Sequence, residues 1–237
     1  MVEFIDKELQ KLNNGILEMW TLVGDQVRTV CAALKTADTD KAWEVLMREK
    51  RVNASDLKID CDVEDFLVLY NPVAIDLRYV LAIYKINADL ERIGDFAESI
   101  ARFVITQCKE GIDQQLLEQL QFDKMTDQVL RMYVTTRLAM EKKDLALANS
   151  VFDMDDEVDR INADATHVLA EYARQHPERA EFAIELKSVI SRLERTGDHV
   201  NNLAEEIVYY IDAEVLKHTY DDHKLEKAIH NHLNEGE

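Results

Sequence analysis

Two stretches carry carboxylates at a spacing that suits a cation: Asp89-Leu90-Glu91-Arg92-Ile93-Gly94-Asp95 and Arg192-Leu193-Glu194-Arg195-Thr196-Gly197-Asp198. Both read Leu-Glu-Arg-x-Gly-Asp, and a repeat this specific indicates an internal duplication. A Glu and an Asp four residues apart lie one above the other on a helix, about 6 Å from each other. A further acidic row, Glu49, Asn53, Asp56 and Asp60, precedes the first motif, and Asp155, Asp159 and Asn162 precede the second. Like charges at this spacing repel by ~0.2–0.5 kcal/mol per pair, so stacked rows are unfavourable unless cations compensate them. Oxygen-only donors suit hard or borderline ions, divalent or trivalent: Mg, Mn, Zn or Fe. The competing reading is a solvated acidic face with Arg92 and Arg195 as ion-pair partners. Each motif also places a glycine inside a helical segment, at ~1 kcal/mol relative to alanine. Two copies that tolerate this point to a close approach to the backbone, by a neighbouring helix or by a ligand.

The elements that must position these residues are long helices. Leu9, Leu12, Ile16, Met19, Val23, Val27, Val30 and Leu34 recur at helical spacing and predict a helix over Phe4 to Leu34. Asp40 is the expected N-cap of a second helix, Lys41 to Tyr70, which Asn71-Pro72 ends. A third follows from Val73 to Gln107. The second half repeats the plan with helices over Gln114 to Met140, Leu145 to Gln175 and Glu178 to Asp212, and His176-Pro177 is its break. No stretch alternates with period two. The expected fold is all-α: two tandem repeats of an antiparallel three-helix bundle, six long helices in all. Residues 1–110 form the first bundle, 111–213 the second, and 214–237 a polar tail with His218, His223, His230 and His232.

Ile83, Ile86, Leu90, Ile93, Ala97, Ile100 and Val104 form one core stripe, and Leu186, Val189, Leu193, Thr196, Val200, Leu203 and Ile207 its counterpart. At about 100° per residue, Glu91/Asp95 and Glu194/Asp198 project roughly opposite these stripes, onto an outer face. The acidic rows flank the stripe of the antiparallel neighbour: Val45, Val52, Ile59, Val63, Phe66 and Tyr70 in one half, Val151, Val158, Ala165, Leu169 and Tyr172 in the other. Trp20 and Trp43 are expected in the core, and His199 is expected to be solvated.

Composition excludes several functions. Lys and Arg number 28 against 47 Asp and Glu in 237 residues, a formal charge of −19. That balance disfavours nucleic acid and anionic lipid as direct partners. Three dispersed cysteines, Cys31, Cys61 and Cys108, argue for a reducing compartment and against a disulfide framework or a thiolate zinc site. The acidic N-terminus lacks signal-peptide features, and no apolar run approaches the ~20 residues that cross a bilayer. The expectation is a cytoplasmic protein with peripheral docking, at most, to membrane complexes. There is no glycine-rich phosphate loop and no spacing that argues for a nucleophile.

Pro72-Val73-Ala74-Ile75-Asp76-Leu77-Arg78, the two Leu-Glu-Arg-x-Gly-Asp motifs, Val52-Asn53 and Val158-Asp159 together resemble the PhoU family, regulators of phosphate transport. The resemblance runs from about residue 5 to 212. It implies two three-helix bundles and an E/D-x-x-x-D metal motif, which falls here on Glu91/Asp95, Glu194/Asp198, Asp155/Asp159 and Asp56/Asp60. Asn53 departs from the motif, which makes Glu49 a weaker ligand candidate. The resemblance also implies a negative regulator of the phosphate-starvation response that links the phosphate transporter ATPase to a sensor histidine kinase, with a homodimer expected. Two alternatives stand beside it. One is a dimetal-carboxylate enzyme, which places ligands inside a bundle and uses Glu-x-x-His twice; only Asp164 and His167 approach that spacing here. The other is a cytoplasmic domain related to that of a sodium–phosphate symporter; the initial Met and lack of a membrane segment favour a free-standing protein.

Overall fold

The computed structural model describes residues 2–213, and all regular structure among them is helical. Helices α1 (Val2–Thr36), α2 (Thr39–Tyr70) and α3 (Ala74–Gln107) pack as one antiparallel bundle. A short α4 (Gln114–Gln119) leads into the second, made of α5 (Phe122–Lys142), α6 (Leu145–Gln175) and α7 (Ala180–Asp212). A 3-10 turn at Pro177–Arg179 precedes α7.

The turns follow local chemistry. Asp38, rather than Asp40, caps α2: its carboxylate accepts from the Lys41 amide at 3.0 Å. Asp144 caps α6 through the amides of Ala146 and Leu147. Asn71 closes α2 in the left-handed region at φ 43°, a conformation Asn tolerates, and Pro72 prevents continuation.

The predicted helix over Gln114 to Met140 is split, giving seven α-helices among the described residues instead of six. Gln121 adopts φ 51° and separates α4 from α5. Leu120 and Phe122 explain the break. Residues two apart point about 200° from each other on a helix, yet both side chains are buried here. The kink lets both face the core. The tail reading at 214–237, with its four histidines, lies outside the described residues.

Both core stripes are buried throughout, as is Trp20. Trp43 is a correction: it is 53% exposed beside exposed Met47. Two positions from buried Val45, it is carried by the helical period to the far side of α2. The halves share a single apolar core. Helix α3 packs against α7 as extensively as against α2. Along this antiparallel seam Tyr79 stacks on Tyr210 at 4.7 Å, Lys85 pairs with Glu206 at 2.8 Å and Phe103 meets Phe182 at 5.6 Å.

A second tie joins α1 to α5. The Tyr133 hydroxyl donates to the Trp20 carbonyl at 2.6 Å, and the two rings meet edge to face. Gly24 makes room for this ring, because a β-carbon there would stand 2.7 Å from Tyr133 Cε1. Gly24→Ala is therefore expected to destabilise the protein by about 1–3 kcal/mol despite alanine's better helix propensity. Urea denaturation of the two proteins measures it, and an unchanged or higher midpoint would refute the tie.

Candidate metal centre

Each half brings an acid row on one helix against a Glu/Asp pair on the next, and a buried glycine sets their separation. A β-carbon on Gly94 of α3 would lie 3.1 Å from Val52 Cγ1 and 3.5 Å from both Glu49 Oε2 and Gln26 Oε1. On Gly197 of α7 it would lie 3.1 Å from Asp155 Oδ1 and 3.7 Å from Val158 Cγ1. The glycines thus let α2 and α6 approach closely, and each approach sinks one carboxylate: Glu49 is 4% exposed and Asp155 0%. These two acids are not on an outer or flanking face. Helical period fixes where a side chain points from its own helix; here the neighbouring helix closes over it.

In the second half, Asp155, Asp159 and Asp198 offer ligand oxygens that all lie within 4.8 Å of one another. Glu194 joins them electrostatically. Burial and the charges of Asp198, Asp159 and Asp155 raise its pKa, against a lowering by Lys187. In the first half, Glu49 sits among Glu98, Asp95 and Glu91. Burial pushes its carboxyl up to about 7, the Gln26 hydrogen bond opposes this, and the three acids add to it. Glu91 is raised likewise by burial and by Asp95. Arg92 spans the first pair at 3.8 Å from Glu91 and 3.6 Å from Asp95, as the ion-pair reading expected.

Asp56 and Asp60 are bound by the buried Asn87, and the Asp56 charge also acts on Glu91. The Asn87 amide donates to Asp56 Oδ1 at 2.7 Å and Asp60 Oδ1 at 3.1 Å. Burial and Asp60 raise the Asp56 pKa, and the Asn87 bond opposes them.

The donor set fits a cation. Glu49 Oε1 is a buried carboxylate oxygen with no hydrogen-bond partner among the described residues, a costly condition that a positive ion relieves. The ligands on α3 and α7 would be Glu91, Asp95, Glu194 and Asp198, with Glu49 from α2 and Asp155 and Asp159 from α6.

Three participants escape sequence reasoning. Gln26 of α1 donates to Glu49 Oε2 at 3.1 Å and to the Val45 carbonyl at 3.3 Å. Its signal was a polar residue beside Val23, Val27 and Val30, inside an apolar stripe. Lys187 bonds Asn162 and Ser191 beside the second acid group. His199, expected to be solvated, instead bonds Asp89 across the α3–α7 seam at 2.7 Å and packs on Phe96 at 5.5 Å.

The PhoU domain family model matches residues 16–104 and 122–207. The chain is 32% identical over 211 residues to the phosphate-specific transport system accessory protein PhoU homolog of Pseudomonas aeruginosa, covering 89% of this chain and 86% of that protein. It is 29% identical over 204 residues to PhoU homolog 1 of Thermotoga maritima, covering 86% and 87% respectively. The crystal structure of PhoU from Pseudomonas aeruginosa matches with a TM-score of 0.83 at 32% identity, over 88% of this chain and 99% of that one. The phosphate transport system regulatory protein PhoU from Streptococcus pneumoniae shares the fold, with a TM-score of 0.77 at 23% identity over 89% and 98%.

The buried acid makes the metal-free protein pH-dependent. Glu49 binds its proton more tightly folded than unfolded, so its contribution is full below its ordinary pKa of 4.5 and lost as pH rises through about 7. Stability without metal should fall between about pH 4.5 and pH 7. Glu49→Gln should flatten that fall and raise Tm at the alkaline end by about 2–4 °C per kcal/mol recovered. Calorimetry with chelator present measures both, and equal slopes in wild type and variant would refute the assignment.

Proposed function

The chain belongs to the PhoU family, and on that premise we propose that it is a metal-binding adaptor and negative regulator of phosphate uptake and phosphate-starvation signalling. The coarser statement rests on membership: this is a phosphate-transport accessory protein and not an enzyme. The dimetal-enzyme alternative falls with it. The observation that supports a metal role is the Asp155/Asp159/Asp198 group, whose oxygens already converge. A cation there neutralises repulsion and ties α6 to α7. In the first half it must displace the Glu49 proton and compete with Arg92, so the second half is the tighter site.

As adaptor, the chain connects the phosphate transporter ATPase with the sensor histidine kinase, as a homodimer on the cytoplasmic side. No helix among the described residues is long and apolar enough to cross a membrane, which agrees with peripheral association. The acidic surface favours basic patches on protein partners.

Titration with Mg, Mn, Zn and Fe(II) tests the metal role. Glu194→Gln/Asp198→Asn should remove the tighter class of sites, and Glu91→Gln/Asp95→Asn the weaker. Each should abolish its share of the metal-dependent rise in stability, which for wild type reaches about 2.7 kcal/mol at a hundredfold excess over Kd. If wild type and variants bind alike, the acids are a solvated face only. Co-purification with the ATPase and the kinase tests the adaptor role, and failure to capture both sinks it.

A further inference from the structure

Beyond the acid group in the α6/α7 groove, on the same facing surfaces, stands a lysine held in an unusual way. Lys187 of α7 is half-buried and reaches forward one helical turn. Its ammonium donates to Ser191 Oγ at 2.8 Å and to Asn162 Oδ1 of α6 at 2.6 Å. Ser191 Oγ also lies 3.3 Å from Asn162 Oδ1, which closes the triangle. Asn162 follows Asp159 by three residues and Ser191 precedes Glu194 by three, so the triangle directly adjoins the carboxylates.

Both partners of Lys187 are neutral, although the groove is rich in acids. Neutral oxygens fix an ammonium in place without cancelling its charge, and its third N–H remains to be used. Burial disfavours that charge and lowers the lysine's pKa, with Glu194 opposing. A cation on the neighbouring carboxylates would repel the ammonium further. An anion with several oxygens, set between the two, relieves both strains: one oxygen meets the metal and another the lysine.

The first half has no such feature. The positions matching Lys187, Ser191 and Asn162 in the repeat are Tyr84, Ala88 and Asp56. Tyr84 and Ala88 are exposed, and Asp56 is engaged by Asn87. The arrangement therefore belongs to one half only.

We propose that Lys187, Ser191 and Asn162 form an oxyanion subsite beside the second-half metal centre, and that its ligand is inorganic phosphate bound jointly by metal and lysine. The proposal rests on the metal reading of Asp155, Asp159 and Asp198. One phosphate binds per chain, and only when the second centre is loaded.

The test uses the full chain loaded with Mn(II), whose unpaired electrons speed the 31P relaxation of phosphate held beside it. Wild type with Mn(II) should relax inorganic phosphate saturably, and chelated protein should not bind it. Lys187→Met keeps the stem and removes the charge. It should weaken phosphate binding by at least about tenfold, while Mn(II) affinity stays the same or tightens; that retained affinity also certifies the fold. Equal phosphate affinity in wild type and Lys187→Met overturns the subsite, as does Mn(II) uptake without any 31P effect, and both leave the metal reading standing. Absence of Mn(II) uptake by wild type defeats the metal reading and the subsite together.

Discussion

Each half of this molecule depends on two helices packed so closely that a β-carbon at the glycine would stand only 3.1 Å from the neighbouring helix. Gly94 and Gly197 give up about 1 kcal/mol of helix propensity apiece. In return a valine, Val52 or Val158, and a carboxylate, Glu49 or Asp155, come against bare backbone. The valine supplies apolar contact. The carboxylate supplies the reverse, since an ionised acid away from water is costly unless it is paired or neutralised. The same approach that seals the core therefore creates the demand for positive charge, and the Glu/Asp pair on either side of each glycine increases it.

The two halves meet this demand differently. Beside Gly94 stands Gln26, whose amide holds Glu49, and Arg92 bridges the pair above. Beside Gly197 the corresponding neighbour is the Met132 thioether, which offers almost nothing to an acid. In the first half Gln26 and Arg92 engage the acids while Glu49 Oε1 keeps no partner among the described residues, whereas in the second three aspartates converge. Duplication preserved the backbone geometry and the glycines, while the polar residues around them diverged.

Much of this was legible in the sequence. Apolar spacing gave the long helices and both buried stripes, because a 3.6-residue period maps directly onto burial. The repeated motif marked the ligand candidates. What escaped were properties of pairs. Trp43 faces outward because Val45 already claims the inward side of α2. The Gln121 break reflects two large side chains competing for one core. The burial of Glu49 and Asp155 depends on how near a second helix comes, which no single helix encodes. Gln26 and His199 act through partners far away in the chain, Glu49 and Asp89.

Tyr79 on Tyr210, Asp89 on His199 and Phe103 on Phe182 make the α3–α7 seam as much a part of the core as either bundle's interior. Melting one bundle would strip apolar cover from the helix that completes the other. The described residues thus share one packed core across both bundles, and half of it cut free would present a raw hydrocarbon wall to water. Charge and ligand occupancy in one half accordingly bear on the free energy of the whole.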